Sequence, residues 1–298
     1  MTAQSRLRLG FGVSGPLGQN WFSEAKTRRL IAAAIEGGIA HFDTGPFYFN
    51  AERRLGAGLA ALGSPDAFVS TKTGTRREGA RLIKDFSERA IRADVEESRR
   101  RLGRDRLDLL YLHGPTVEEI EQTLPLLEAL KREGSLAAIG VCGEGAPLAH
   151  AVERGFDAIM GVYNLIDRRH ESVFAEAKKR GVLTVAVAPL AQGLFDPKFF
   201  APASLSDFWR IARAAFRGRY KRRDIETARA ALAAVPDLDP PVAALAFALA
   251  NIDIDIVMTT TTKSGHLERS IAAARTPLDP AVYAALKGLS LDRPGGGS

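Results

Sequence analysis

The chain has 298 residues, of which 46% are hydrophobic, and it carries a formal net charge of +6. This composition is typical of a globular protein with a large core, and no apolar run approaches the roughly 20 residues of a membrane-spanning helix. The single cysteine, Cys142, excludes an intrachain disulfide, and the start of the chain (1–8) lacks the apolar stretch of a secretory signal, so we predict a cytoplasmic protein with no membrane partner.

Short apolar runs of strand length alternate with longer amphipathic stretches along the whole chain. This alternation predicts eight units, each a strand followed by a helix. In chain order they are Leu7–Val13 with Glu24–Glu36, Ala40–Asp43 with Ala51–Leu62, Phe68–Thr71 with Asp85–Leu102, Leu107–His113 with Val117–Glu133, Ala137–Val141 with Ala146–Arg154, Ala158–Val162 with Glu171–Arg180, Leu183–Ala188 with Pro241–Asn251, and Ile254–Thr259 with His266–Ala274.

Eight such units predict an α/β fold whose parallel strands close into a (β/α)8 TIM barrel. No Gly-x-Gly-x-x-Gly motif follows the first strand, which disfavours an open dinucleotide-binding sheet. We find no linker and predict a single domain over 1–298, with a frayed tail at 292–298. The longest segment without a clear strand, Leu190–Arg223, follows the seventh strand, on the face where barrel enzymes bind ligands.

A basic segment lies within that stretch. Between Phe208 and Arg223 there are seven basic residues and no acidic one. The segment fits either a solvated helix and loop or a binding surface for an anion such as a nucleotide phosphate. The sequence has no zinc-finger spacing and no other nucleic-acid signature, so we predict no nucleic-acid partner and no metal site.

Four polar residues come at or just after the carboxyl ends of predicted strands: Asp43, Tyr48, Lys72 and His113. In a barrel these strand ends converge on one mouth. Buried charges need partners, so we expect Asp43 and Lys72 to neutralise each other. A neighbouring lysine lowers the pKa of a tyrosine, which suits Tyr48 to give a proton to a carbonyl oxygen that His113 also binds. Each residue alone also fits a structural role, but their coincidence at strand ends predicts a catalytic group.

The sequence around these residues resembles that of the aldo-keto reductase family. Gly38–Tyr48 and its continuation Ala51–Gly56 are similar to the family signature. The order of the match is kept from Leu9 to about Ala274, and further similar segments are Val69–Lys72, Val95–Ser98, Leu102–His113, Leu127–Gly134 and Ile139–Val141. The resemblance implies hydride transfer between a nicotinamide cofactor and an aldehyde, ketone or sugar-like carbonyl, with a tyrosine supplying the proton. It implies NADPH (NADP+) as the cofactor, with NADH less suited.

The sequence departs from the family pattern in four places, one of which is a pair of residues. Cys142-Gly143 replaces the Ser-Asn pair that holds the nicotinamide carboxamide, and Met160 stands where the family often has glutamine. Val187 offers no aromatic ring to stack on the nicotinamide, and Phe49 replaces the glycine that usually follows the catalytic tyrosine. All four changes lie where the nicotinamide or the adjacent substrate is expected, so the resemblance implies an atypical cofactor pocket.

The resemblance also implies contacts at the other end of the cofactor. Lys263 is expected to meet a 2′-phosphate near a helix N-terminus, which favours NADP(H), and Arg269 to stack on the adenine or pair with phosphate. Backbone amides near Leu190 to Gly193 are expected to hold the pyrophosphate, with help from Arg217 or Arg219. The full set of expected cofactor contacts is Cys142, Gly143, Met160, Leu190, Gly193, Thr262, Lys263, His266 and Arg269.

Trp21, Phe47 and Phe49 follow the first and second strands and are either walls of the substrate pocket or simple packing residues. Because the chain ends soon after the last predicted helix, we expect an open pocket. The expected partner is a small carbonyl or alcohol substrate, and the expected assembly is a monomer or a small homo-oligomer.

Two further hypotheses stay open at this stage. A Tyr48–Lys72 acid–base pair without hydride transfer would serve a redox-neutral elimination or isomerisation, which the altered nicotinamide positions favour. A non-catalytic regulatory or binding subunit on the same fold is the third hypothesis, since a fold does not fix a function.

Overall fold

Eight parallel strands close into a barrel in a computed structural model of the chain, which describes residues 7–78, 81–195 and 220–291. The strands are β1 Leu9–Gly12, β2 His41–Asp43, β3 Phe68–Thr73, β4 Thr75–Glu78, β5 Arg81–Lys84, β6 Leu109–His113, β7 Ile139–Cys142, β8 Ala158–Val162, β9 Leu183–Val187 and β10 Ile256–Thr259. The strand order around the barrel is β1-β10-β9-β8-β7-β6-β3-β2, and this confirms the predicted (β/α)8 architecture.

Helices cover the outside of the barrel and return the chain to the start of each next strand. Their apolar faces pack on strand side chains that point outward, such as Leu9, Phe42 and Val69. In the described residues they are α1 Glu24–Glu36, α2 Ala51–Ala61, α3 Glu88–Leu102, α4 Val117–Arg132, α5 Ala146–Glu153, α6 Glu171–Lys179, α7 Arg222–Ala233, α8 Pro240–Ala250, α9 Ser264–Arg275 and α10 Pro280–Lys287. None of these helices has the length and apolar character needed to cross a membrane.

The antiparallel hairpin of β4 and β5 is an element that the sequence pattern does not predict. Its residues are mostly charged, and Leu82 is 57% exposed, so no buried alternation marks the two strands. The hairpin also shortens the predicted helix over Asp85–Leu102. Asp85 donates its amide to the Gly74 carbonyl and closes the hairpin, and Ser87 then caps α3 by accepting from the Ala90 amide.

Two helices lie outside the eight predicted units. Helix α7 follows the segment 196–219, which is outside the described residues together with most of the basic segment, and the predicted frayed tail 292–298 lies outside them too. Helix α10 follows the last barrel helix, where the sequence predicts little further structure. Asp279 caps α10 by accepting from the Ala281 and Val282 amides, and Tyr283 packs on Phe247 with ring centroids 5.4 Å apart.

The barrel interior is filled by side chains that point inward from every second residue of a strand, including Leu109 and Tyr111 of β6 and Met160 of β8. A Cβ at Gly140 would lie only 2.6 Å from the Tyr111 ring, so glycine at this position makes room for the tyrosine. The interior is therefore closed below the mouth, and the polar residues at the strand ends lie on a packed floor rather than in a channel.

Candidate active site

Asp43 and Lys72 form a buried ion pair at the carboxyl ends of β2 and β3. Lys72 Nζ donates to Asp43 Oδ2 at 2.5 Å and to the Thr44 carbonyl oxygen at 2.6 Å. Burial lowers the pKa of Lys72, but the charges of Asp43 and Tyr48 outweigh this effect, and the net pKa lies above the ordinary lysine value. The lysine therefore stays a cation although it is 2% exposed.

A second chain of hydrogen bonds holds the other carboxylate oxygen. Ser70 Oγ donates to Asp43 Oδ1 at 2.8 Å, and His41 Nε2 lies 3.3 Å from the same hydroxyl. Because Ser70 has one hydroxyl proton and gives it to the carboxylate, His41 Nε2 is the donor to Ser70. Asp43 thus receives directed bonds from both sides, which fixes the carboxylate and, through it, the ammonium group of Lys72.

Tyr48 ends a short 3-10 helix, Pro46–Tyr48, in the loop after β2. Lys72 Nζ lies 5.6 Å from the centroid of the tyrosine ring. The charge of an ionised Tyr48 contributes to the raised pKa of Lys72, so in return the lysine cation favours the ionised tyrosine. The pair is therefore arranged to help a proton leave the Tyr48 hydroxyl.

The position of Tyr48 depends on a close backbone approach at Gly18. A Cβ at Gly18 would overlap the Tyr48 carbonyl oxygen and would lie 3.1 Å from the Ala51 amide nitrogen. The Gly18 carbonyl also accepts from the Asn50 amide at 3.0 Å. Only glycine leaves room for this contact between the loops after β1 and β2.

We expect Gly18→Ala to lower kcat roughly ten- to a hundredfold, because the loop must shift and carry the Tyr48 hydroxyl away from the reacting oxygen. Steady-state kinetics would measure the loss, and a thermal melt of the same variant would separate it from unfolding. An unchanged kcat in a folded variant would contradict this role of Gly18.

His113 ends β6 and faces the same mouth. Burial and the nearby Lys72 cation lower the pKa of His113 from 6.5 to about 4, so the ring is neutral at neutral pH. Its Nδ1 atom is buried and has no partner among the described residues. Phe47 contacts both neighbours edge-on, with its ring centroid 6.1 Å from that of His113 and 5.3 Å from that of Tyr48. A neutral imidazole in this position can hydrogen-bond a substrate oxygen without giving up a full proton.

The low pKa of His41 predicts a pH-dependent stability. Burial and the Lys72 cation lower its pKa from 6.5 to about 4, so the folded state binds fewer protons than the unfolded chain between these values. The unfolding free energy should therefore fall as the pH drops from about 6.5 towards 4, by on the order of 1–2 kcal/mol between pH 7 and pH 5 for this residue. Urea unfolding at both pH values would show the loss. A His41→Gln variant should have a flatter dependence, and an equal dependence would contradict the assignment.

The expected nicotinamide wall continues around the barrel from His113. Cys142 pairs with His113 in register, and Met160 pairs with Cys142. Met160 is 1% exposed in the barrel interior, and its carbonyl accepts from the Gly143 amide at 3.0 Å. Burial raises the pKa of Cys142 to about 12, so its side chain is a neutral thiol. These residues supply no side-chain amide for a carboxamide, in agreement with the departures seen in the sequence.

The neighbouring loop is held by a buried histidine. His170 Nε2 accepts from the Gly145 amide at 3.0 Å, and His170 Nδ1 lies 3.2 Å from the Val162 carbonyl oxygen. The ring is therefore the neutral tautomer with its proton on Nδ1, and burial lowers its pKa. It ties the loop after β7 to the end of β8.

The expected phosphate end of the cofactor site lies at the start of α9. Lys263 is exposed there, and no side chain caps the first turn of the helix. An uncapped helix N-terminus beside an exposed lysine is a favourable environment for a phosphate group, so the residues present fit this part of the cofactor. Arg269, the expected contact to adenine or phosphate, forms an ion pair with Asp239, its Nη1 lying 3.1 Å from Oδ2. Its contact with the cofactor stays a prediction. Thr262 and His266 are exposed beside Lys263.

The turn after β9 carries the backbone amides that are expected to hold the pyrophosphate. The Gly193 amide donates to the Leu190 carbonyl at 2.8 Å, and the Ala191 amide donates to the Ala188 carbonyl at 3.0 Å. These two amides are engaged within the turn itself, and the pyrophosphate contact at Leu190 to Gly193 stays a prediction. Arg217 and Arg219 lie outside the described residues.

Aromatic residues expected at the substrate pocket lie around the mouth. Trp21 is 67% exposed and Phe49 is 45% exposed, whereas Phe47 is half-buried between Tyr48 and His113. Phe49 has a φ of 58°, a conformation that non-glycine residues rarely adopt. Large exposed rings on this face fit a surface that a ligand covers.

Three residues beneath Lys72, Asp43 and His113 were not predicted from the sequence, namely Ser70, His41 and Tyr111. Each comes two positions before a predicted site residue on the same strand. Because side chains alternate between the faces of a strand, this spacing alone places them on the inner face and offers a signal that could have found them. Thr75 and Lys84 were missed with the hairpin that carries them.

Comparisons with known proteins identify the family of the chain. The model of the Aldo/keto reductase family matches residues 8–290. L-galactose dehydrogenase of Arabidopsis thaliana is 30% identical over 287 residues, which are 89% of this chain and 83% of the relative. The NADH-specific methylglyoxal reductase of Escherichia coli is 30% identical over 64% of this chain and 65% of its own length. An aldo-keto reductase from Bacillus halodurans, solved in its holo form, superimposes with a TM-score of 0.77 at 26% identity, over 96% of this chain and 93% of its own.

Proposed function

Because the chain belongs to the aldo/keto reductase family, we propose that it is an NADP(H)-dependent oxidoreductase that reduces an aldehyde, ketone or sugar-like carbonyl, or oxidises the corresponding alcohol. The observation that carries the proposal is the buried pair of Lys72 and Asp43 below the ring of Tyr48, beside a neutral His113. The family and its dehydrogenase and reductase relatives already make the chain an oxidoreductase of carbonyl or sugar substrates.

In the proposed mechanism Tyr48 is the general acid in reduction and the general base in oxidation. The Lys72 cation stabilises the tyrosinate that remains after the proton has left, and Asp43 holds the lysine in place. His113 orients the substrate oxygen by a hydrogen bond from its neutral ring. When bound, the nicotinamide cofactor supplies or receives the hydride.

We propose that Lys263 and the first turn of α9 hold the adenosine phosphate, and that the nicotinamide lies along Cys142 and Gly143. Lys263 is the reason for preferring NADP(H), because a 2′-phosphate would gain a charged partner there. Arg269 contributes less than the resemblance implied, since Asp239 already neutralises it. The substrate is a small molecule held between Phe47, Trp21 and Phe49. The proposal keeps the cytoplasmic location and the monomer or small homo-oligomer that are predicted from the sequence.

A redox-neutral lyase or isomerase is the second candidate function. The absence of a side-chain amide at Cys142, Gly143 and Met160 favours it, because these positions usually hold the carboxamide. The same Tyr48–Lys72 pair would then move a proton without a hydride. The non-catalytic alternative is disfavoured by the full set of partners around Asp43.

A titration of the purified chain with NADPH and with NADH, followed by calorimetry, tests the proposal. We expect micromolar binding of NADPH and weaker binding of NADH, followed by turnover on a panel of aldehydes, ketones and aldoses. Lys263→Gln should weaken NADPH by about tenfold and leave NADH unchanged, as expected for one lost charge contact to phosphate. Lys179→Gln is the matched control, because Lys179 is exposed at the end of α6, away from the barrel mouth. Binding of neither cofactor would overturn the oxidoreductase proposal and favour the redox-neutral one.

A further inference from the structure

The hairpin of β4 and β5 is fastened to the strand that carries His113. Thr75 Oγ1 donates to the His113 carbonyl oxygen at 2.7 Å, and Thr75 is 4% exposed. At the other end of the hairpin the Asp85 amide donates to the Gly74 carbonyl at 2.8 Å. The hairpin therefore has a fixed base at the mouth of the barrel, next to the residues proposed to hold the substrate oxygen.

Lys84 is directly opposite Thr75 in the hairpin register, so its side chain lies on the same face and points to the end of β6. Lys84 Nζ donates to the Gly114 carbonyl oxygen at 2.5 Å, one residue beyond His113. Gly114 has no Cβ, and one placed there would be 3.6 Å from the ammonium nitrogen. This bond uses one of the three ammonium protons and leaves two for another acceptor.

The charge of Lys84 is not neutralised within the described part of the chain, where no carboxylate lies within 4.0 Å of its ammonium group. The neighbouring hairpin cation is different, because Arg76 lies 3.0 Å from Asp85 and 3.8 Å from Asp94. Lys84 also acts on the site electrostatically. The pKa of His113 is lowered most by burial of the ring and next by the Lys72 cation, while Asp43 raises it. The Lys84 cation adds a smaller lowering. Lys84 therefore places a positive charge at the rim of the pocket, with two ammonium protons left to bind an anion.

Building on the proposed function, we propose that Lys84 binds a carboxylate of the substrate, and that the preferred substrates are aldehydes or ketones that carry a carboxylate a few bonds from the carbonyl group. A single ammonium group with two remaining protons can donate to the two oxygens of a carboxylate monoanion. The carboxylate takes no part in the redox step. The hydride from the cofactor reaches the carbonyl carbon, and the proton from Tyr48 reaches the carbonyl oxygen, so the product is the hydroxy acid.

Paired substrates that differ only in charge test this inference. Glyoxylate and succinic semialdehyde would be compared with their methyl esters, using wild type, Lys84→Gln and Lys84→Arg, with Lys179→Gln as the matched surface control. We expect wild type to favour the acids by about tenfold in kcat/KM, mainly through KM, and this preference to weaken at high ionic strength. Lys84→Gln should remove the preference, so that it uses each acid and its methyl ester with similar kcat/KM. Lys84→Arg and Lys179→Gln should keep it.

Equal use of acid and ester by wild type, or a preference that survives in Lys84→Gln, would overturn the carboxylate site while leaving the oxidoreductase intact. Failure of wild type to reduce any of the four compounds or the neutral carbonyl panel with either cofactor would overturn the proposed function, and the carboxylate site with it. The ester control thus separates the two failures.

Discussion

Tyr48→Phe is expected to reduce kcat by about a thousandfold or more while the Kd of the cofactor stays near the wild-type value. Phenylalanine keeps the ring against Phe47 and above Lys72 but has no hydroxyl proton to give. General acid catalysis by a positioned group is worth roughly 10²–10⁴ in rate, so its loss is a large effect on the chemical step and a small one on binding. Single-turnover kinetics with NADPH and an aldehyde would measure the change.

Tyr283→Phe is the matched control for this variant. Tyr283 lies on α10 and packs on Phe247, and none of its described contacts is with Asp43, Tyr48, Lys72 or His113, so the same chemical change there should leave kcat unaltered. Turnover at the wild-type rate in Tyr48→Phe would remove the tyrosine from the mechanism. A loss of rate in both variants would point to a general effect of the substitution on the fold.

Lys72→Met is expected to impair the same proton step and to change its pH dependence. Without the cation that favours the ionised tyrosine, the pKa that governs alcohol oxidation should move up, towards the value of about 10 of an ordinary tyrosine. At neutral pH we expect kcat to fall by roughly a hundred- to a thousandfold. A pH–rate profile that matched the wild type would show that Lys72 does not tune Tyr48.

The same variant should lose stability, because Asp43 would be left in a buried site without its main partner. Asp43 is 7% exposed, and removing one member of a buried ion pair typically costs about 3–5 kcal/mol. The double variant Asp43→Asn/Lys72→Met removes both charges and should regain most of the stability but none of the activity. Urea unfolding of both variants would measure this. Equal stability of the single and double variants would contradict the coupling between the two charges.

The sequence alone determined the barrel and the location of the four polar residues. Buried parallel strands produce continuous apolar runs, and the helices between them produce amphipathic ones, so the alternation could be read without contacts. Once the strands close into a barrel, a polar residue at a strand end must face the common mouth. For this reason Asp43, Lys72 and His113 could be placed together before the structure was known.

Tertiary structure decided what surrounds those residues. The hairpin that presents Lys84, the hydroxyl of Ser70 on Asp43, and the pairing of Arg269 with Asp239 all join residues that are distant in sequence or lack an apolar pattern. Periodicity records which face of a strand or helix is buried, but it does not record which polar group meets which across a loop. Those pairings depend on the packed geometry of the whole barrel, and they determine which charges are neutralised and which, such as that of Lys84, are left for a ligand.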